Sequence, residues 1–134
     1  MTSVPSVRPM RILVVEDDDD HAELILHVLG EHHPGHRIER VADGAEAMAY
    51  LERHRNGSRP DLVLLDLKLP RVTGLEVLER IKSDDVLRVV PVVILTTSAA
   101  EADRARAYAA HGNSYVVKTA HFPALEALLM DIAE

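Results

Sequence analysis

The sequence predicts an α/β protein in which a parallel sheet is covered on both faces by helices. Two observations carry this. Five short strand-like runs are each followed by a stretch with helical spacing, and all but the second are apolar throughout instead of alternating. Strands of that kind are buried on both sides, and βαβ crossovers supply the cover. A length of 134 residues suits one such domain.

Residues 1–9, Met1 to Pro9, lack the apolar core of a signal peptide and read as a short disordered lead. The domain is expected over 10–134. Ile12-Leu13-Val14-Val15 forms the first strand. A helix follows, with Ala22, Ile25, Leu26 and Leu29 at i, i+3, i+4, i+7. Asp20 and Glu23 make a D-x-x-E capping pattern, with Asp19 as the alternative cap, and Gly30, Pro34 and Gly35 end the helix.

Arg37 to Ala42 is the second and least apolar strand. Asp43-Gly44 turns the chain into a helix through Ala47, Met48 and Leu51, which ends before the loop residues Asn56 to Pro60. Leu62 to Leu65 is the third strand and stops at Asp66; Gly74, Val77, Leu78 and Ile81 mark the third helix. Pro91 introduces the strand Val92 to Leu95, which ends in Thr96-Thr97-Ser98. A helix from Glu101 to Ala110, the strand Tyr115-Val116-Val117 and a helix carrying Leu125, Leu128, Leu129 and Ile132 complete the chain.

Charge is concentrated in one place. The net −7 comes from 22 acidic and 15 basic residues, and five of the acids are adjacent, Glu16 to Asp20. Removing those five leaves 17 acids against 15 bases, a net of −2. Without a basic patch the chain is not expected to bind nucleic acid directly. Zero cysteines exclude disulfides and thiol chemistry and fit the cytoplasm. No apolar stretch approaches the length of a membrane span.

Ligands of open α/β sheets bind beyond the carboxyl ends of the strands. Here those ends offer Glu16-Asp17, Asp66, Thr96 and Lys118. Clustered carboxylates repel one another unless a cation joins them, and Mg²⁺ suits a site that also meets phosphate oxygens. Asp66 is then a candidate nucleophile that accepts a phosphoryl group as an acyl phosphate. Thr96 can hydrogen-bond a phosphoryl oxygen, and Lys118 can pair with it. Asp18, Asp19 and Asp20 read instead as helix-shaping and capping residues.

The chain resembles the receiver domain of two-component response regulators. The resemblance runs from about Met10 onward, on Ile12 to Asp18, Pro60 to Pro70 with Gly74, Pro91 to Ser98, and Tyr115 to Lys118, with spacings of 49, 30 and 22 between Asp17, Asp66, Thr96 and Lys118. It implies a flavodoxin-like (βα)₅ fold with strand order 2-1-3-4-5. It also implies Asp66 as phosphoacceptor, with Mg²⁺ held by Asp17, Asp66, Glu16 through water, and the main-chain carbonyl of Lys68. Thr96 and Lys118 would sense the phosphoryl group, Tyr115 would be the switch aromatic, and Lys68 and Ser98 would tune the lifetime of the phosphorylated state.

The stretch from Pro60 to Ser98, with no output domain after it, resembles the single-domain subgroup that partners phytochrome-type sensor histidine kinases. Implied partners are such a kinase, a downstream target or phosphotransfer protein, and a second copy. The resemblance implies that the family meets them on the helix 4–strand 5–helix 5 face, the region of Arg104, Arg106, Tyr108, His111 and His121, for which a plain charged surface is the alternative reading.

Three features depart from the family. Thr119 stands where most receivers have a proline, often cis; a cis bond before threonine costs about 3–4 kcal/mol, so trans is expected. Lys68 stands where many relatives have Asn or another residue, and its ammonium could pair with the acidic pocket when no metal is bound. The subgroup's longer members carry a C-terminal dimerisation arm beyond the point where this chain stops, Glu134.

Other readings are weaker. A haloacid-dehalogenase-type hydrolase needs a second Asp two residues after the first, where Lys68 stands. A receiver promotes its own phosphorylation and dephosphorylation but is not a turnover enzyme. A phosphorelay intermediate or phosphate sink, passing its phosphoryl group to a phosphotransfer histidine, is the alternative function. His32, His33 and His36 surround a helix end and read as polar surface, not as a zinc site.

Overall fold

The computed structural model of the chain describes residues 10–32, 35–67, 69–96, 105–106, 108–109 and 114–117. Five strands, β1 (Arg11–Val15), β2 (Arg37–Val41), β3 (Leu62–Leu65), β4 (Val92–Thr96) and β5 (Ser114–Val117), form one sheet in the order β2-β1-β3-β4-β5. Every neighbouring pair is parallel. This is the flavodoxin-like order expected. Helices α1 (Asp19–His32), α2 (Gly44–Arg53) and α3 (Gly74–Ser83) and a 3₁₀ turn at Leu87–Val89 connect the strands. Residues 105–106 and 108–109 are helical, within the span predicted for the fourth helix. The last predicted helix and the lead over 1–9 lie outside the described residues.

Alternation along the strands explains why their sequences are apolar throughout. Ile12, Val14, Leu62, Leu64, Val93 and Leu95 pack on one face with Ile25, Val28 and Leu29 of α1. Leu13, Val15, Val63, Leu65, Val92 and Ile94 pack on the other with Ala47 and Leu51 of α2 and Val77, Leu78 and Ile81 of α3. Each strand residue therefore meets a helix layer whichever way it points. The edge strand β2 is the exception, with exposed Arg37 and Glu39, which is why its sequence signal is faint.

Helix boundaries differ from the sequence reading at α1. The helix starts at Asp19, and its cap is Asp18, whose Oδ1 accepts the His21 N–H at 3.0 Å. Neither Asp19 nor Asp20 is the cap: both lie in the first turn, where a carboxylate meets the helix dipole but leads no capping geometry. The far end also differs, since α1 runs through Gly30 to His32. Gly30 is exposed, so its missing side chain leaves the packing of the buried face intact. At α2, Asp43 Oδ1 accepts the Glu46 N–H at 2.8 Å, and Glu46 Oε2 accepts the Ala42 N–H at 3.1 Å. Thr73 caps α3 in the same way through the Glu76 N–H.

The segment leaving β3 departs from regular structure at one residue. Leu67 and Leu69 are buried in the α2/α3 layer and anchor the segment leaving β3. Arg71 in that segment takes φ 67, a left-handed conformation unusual for a residue with a Cβ. Met48, expected in the core, is half-buried against it. His36 is tied into the fold, its Nδ1 accepting the Met10 N–H at 3.0 Å.

Candidate functional site

Register places the polar residues. Val15 pairs with Leu65 and with Val41, and the ladder continues one step further: Asp66 N–H donates to Val15 O at 3.1 Å and Glu16 N–H to Val41 O at 3.1 Å. Glu16 and Asp66 thus leave adjacent strands at the same level, at the carboxyl rim of the sheet. Both are almost fully buried, 2% and 6% exposed, while Asp17 is exposed. One carboxylate oxygen from each of Glu16, Asp17 and Asp66 lies within 4.8 Å of the others. Among the described residues this is the one cluster of three metal-ligating side chains.

Backbone geometry holds the cluster. Asp18 N–H donates to Glu16 Oε2 at 3.3 Å, folding the carboxylate back over the start of α1. Gly74 N–H donates to Leu67 O at 3.0 Å, drawing the α3 N-terminus against the exit of β3. A Cβ at Gly74 would overlap the main-chain oxygen of Asp66, so only glycine permits this approach. Three carboxylates at this spacing are costly together, and a hard divalent cation offsets the repulsion. The donors are all oxygen and none is nitrogen or sulfur, which favours Mg²⁺-like ions over zinc or copper.

Arg40, at the end of β2, is part of this surround and was not singled out by the sequence reading. Its Nε–H donates to Glu16 O at 2.9 Å, and Nη1 lies 3.0 Å from Asp19 Oδ1. Its Nη2 is buried without a hydrogen-bond partner among the described residues. The signal for it was a basic residue two positions before Ala42-Asp43-Gly44 on the least apolar strand, which carries too little information alone.

Of the other predicted site residues, Thr96 ends β4, paired with Val117 of β5, and Tyr115 is paired with Ile94. Their side chains lie outside the description, as do Lys68, Ser98, Lys118 and Thr119. Arg106 and Tyr108 are exposed; Arg104, His111 and His121 lie outside the described residues. No helix among the described residues is long and apolar enough to cross a membrane.

A doubly wound parallel sheet with a buried carboxylate pair at its carboxyl rim defines a flavodoxin-like protein with an acidic, cation-suited pocket. Comparison with known proteins narrows this class. The response regulator receiver domain matches residues 12–130, and the chain belongs to that family, the signalling modules of two-component systems. It is 45% identical over 128 residues to the probable methanogenesis regulatory protein FilR2 of Methanothrix harundinacea, covering 94% of this chain and 83% of the relative. It is 41% identical over 114 residues to response regulator Rcp1 of Synechocystis sp., covering 83% and 78%. The phosphorylated cyanobacterial phytochrome response regulator RcpA superposes with a TM-score of 0.87 at 42% identity, covering 92% of this chain and 91% of that one. The Mn²⁺-bound form of Rcp1 superposes with a TM-score of 0.84 at 38% identity, covering the same shares.

Proposed function

We propose that this protein is a phosphorylatable switch that accepts a phosphoryl group on Asp66 from a sensor histidine kinase of the phytochrome-associated type. The observation that carries the reading is the buried carboxylate of Asp66 within 4.8 Å of Glu16 and Asp17 at the carboxyl rim. A carboxylate oxygen of Asp66 attacks phosphorus; the P–N bond to the kinase histidine breaks, a P–O bond forms, and the imidazole leaves. Water later attacks phosphorus, the P–O bond to Asp66 breaks, and inorganic phosphate leaves as the carboxylate is restored.

Mg²⁺ would be held by Asp17, Asp66, Glu16 through water, and the Lys68 carbonyl, and when bound it offsets the charge of nucleophile and donor. Glu16 and Asp66 fix the pocket from the strand ends, while the Asp18 N–H orients the Glu16 carboxylate. Thr96 and Lys118 bind the phosphoryl oxygens, and Tyr115 reports their movement to the face carrying Arg106 and Tyr108. Lys68 and Ser98 tune how long the phosphorylated state lasts. The switch is a shift between two packings biased by new contacts to phosphate. One similarity supports the kinase class: RcpA, 42% identical to this chain, is a phytochrome response regulator. On this reading the protein acts in the cytoplasm, which its lack of cysteines suits.

Incubation with Mg²⁺ and acetyl phosphate, followed by intact mass, tests the reading. The expected result is a gain of one phosphoryl group, lost in Asp66→Asn. No gain at any Mg²⁺ concentration would overturn it.

A further inference from the structure

The acidic rim carries its own cation. Arg40 stands on the edge strand opposite Val14, one step short of the rim, and its guanidinium spans from the Glu16 carbonyl to the Asp19 carboxylate. Asp17 lies in the segment so bridged. The ion pair itself does not explain an arginine here, because Asp19 is 90% exposed and such pairs contribute little. Against that small gain stands a buried Nη2 with no hydrogen-bond partner among the described residues, which is a desolvation cost. A residue that breaks a local rule in this way beside a functional site is expected to have its compensation at the site.

We propose that Arg40 is a resident counter-cation that sets how strongly the Glu16–Asp17–Asp66 pocket takes a divalent ion. The inference rests on the reading of that pocket as a Mg²⁺ site. In the metal-free protein, the fixed guanidinium charge offsets part of the carboxylate repulsion. When a divalent ion enters, the same charge opposes it. Arg40 thereby stabilises the empty pocket and holds affinity down, leaving the metal exchangeable.

A plain alternative is that Arg40 only staples the loop through its bond to Glu16 O. Arg40→Gln separates the two, because glutamine Nε2 sits at the same distance along the side chain as arginine Nε. It can keep the bond to Glu16 O while losing the charge. Arg40→Met loses both, and Arg40→Lys keeps the charge without the planar fork.

The experiment is calorimetric titration of the full chain and its variants with Mg²⁺, alongside melting with and without the ion. Arg40→Gln and Arg40→Met are expected to bind Mg²⁺ about three- to tenfold tighter than the parent, the scale of one nearby, partly screened charge. Arg40→Lys is expected to stay within about twofold of the parent. Without divalent ions the two neutral variants melt lower, and Mg²⁺ raises their melting temperature more than it raises the parent's. Equal or weaker Mg²⁺ binding by Arg40→Gln would overturn the proposal, as would failure of both neutral variants to fold even with Mg²⁺. A parent that takes up no Mg²⁺ would instead overturn the metal-site reading, and this inference with it.

Discussion

Gly74, the first residue of α3, lies directly against the main chain of Asp66. A Cβ added to it would overlap the Asp66 carbonyl oxygen and come within 2.6 Å of Leu67 Cα. The helix N-terminus and the strand end that presents the carboxylate are therefore one unit, joined by the Gly74 N–H to Leu67 O bond of 3.0 Å.

Gly74→Ala accordingly forces backbone against backbone, with no flexible side chain able to give way. We expect a loss of about 2–3 kcal/mol in urea unfolding, at the upper end of overpacking changes. Because the displaced atoms belong to Asp66, phosphorylation by acetyl phosphate should slow even at temperatures where the variant remains folded. A variant with the parent's stability and rate would show that the segment can move aside freely.

The segment between Asp66 and Gly74 also stores strain. Arg71 takes φ 67, and its guanidinium lies 4.0 Å from Asp43 Oδ2 with 79% of its side chain exposed, so the pair contributes little. Glycine meets no Cβ penalty in this region. Arg71→Gly is expected to stabilise the fold by about 0.5–1 kcal/mol in chemical denaturation, the strain relieved less the extra entropy of the unfolded glycine.

Much of this arrangement was legible in the sequence, for a physical reason. Strands buried on both faces must be apolar at every position, so Ile12 to Val15 and Leu62 to Leu65 announce themselves, and the polar residue ending each run marks the rim. Glu16, Asp17 and Asp66, which the fold brings together, were legible as a group in this way. What the sequence concealed depends on short-range geometry. Asp18 caps α1 although Asp20 and Glu23 match the capping pattern better, because the helix starts where β1 releases the chain, not where the pattern is strongest. Arg40 was hidden because an edge strand tolerates charge, and nothing in one sequence separates a charge aimed at a site from one facing water. The 3₁₀ turn at Leu87–Val89 has no periodicity to detect, being a single turn held by Asp84.

That turn gives a pH prediction. Asp84 accepts hydrogen bonds from Leu87 N–H at 3.0 Å, Arg55 Nε–H at 3.1 Å and Val86 N–H at 2.8 Å. These partners, the Leu87 amide foremost, hold its carboxyl at about 2, below the ordinary 3.8. A carboxylate whose folded pKa is depressed contributes stability that is fully present above the unfolded value and is lost as pH falls through the folded one. Acid unfolding of the parent should therefore steepen between pH 4 and pH 2, and Asp84→Asn should remove that part of the slope. Parallel curves for the two proteins would show that Asp84 has no part in it.

The acidic pocket itself should respond in opposite directions to loss of a carboxylate, depending on metal. Asp17 is the exposed member of the three, so replacing it opens no cavity and leaves no buried group unpaired. Without metal, Asp17→Asn removes one of three like charges whose oxygens lie within 4.8 Å, and the repulsion relieved is about 1 kcal/mol at an exposed position. If Asp17 holds the ion as proposed, the same change removes a ligand, and a ligand's loss outweighs relieved repulsion because the cation had already neutralised it. The variant should melt above the parent in EDTA, by a few degrees on that scale. In millimolar Mg²⁺ the order should reverse, the parent rising and the variant scarcely moving. Variant and parent melting in the same order under both conditions would mean that Asp17 neither repels its neighbours nor holds the ion.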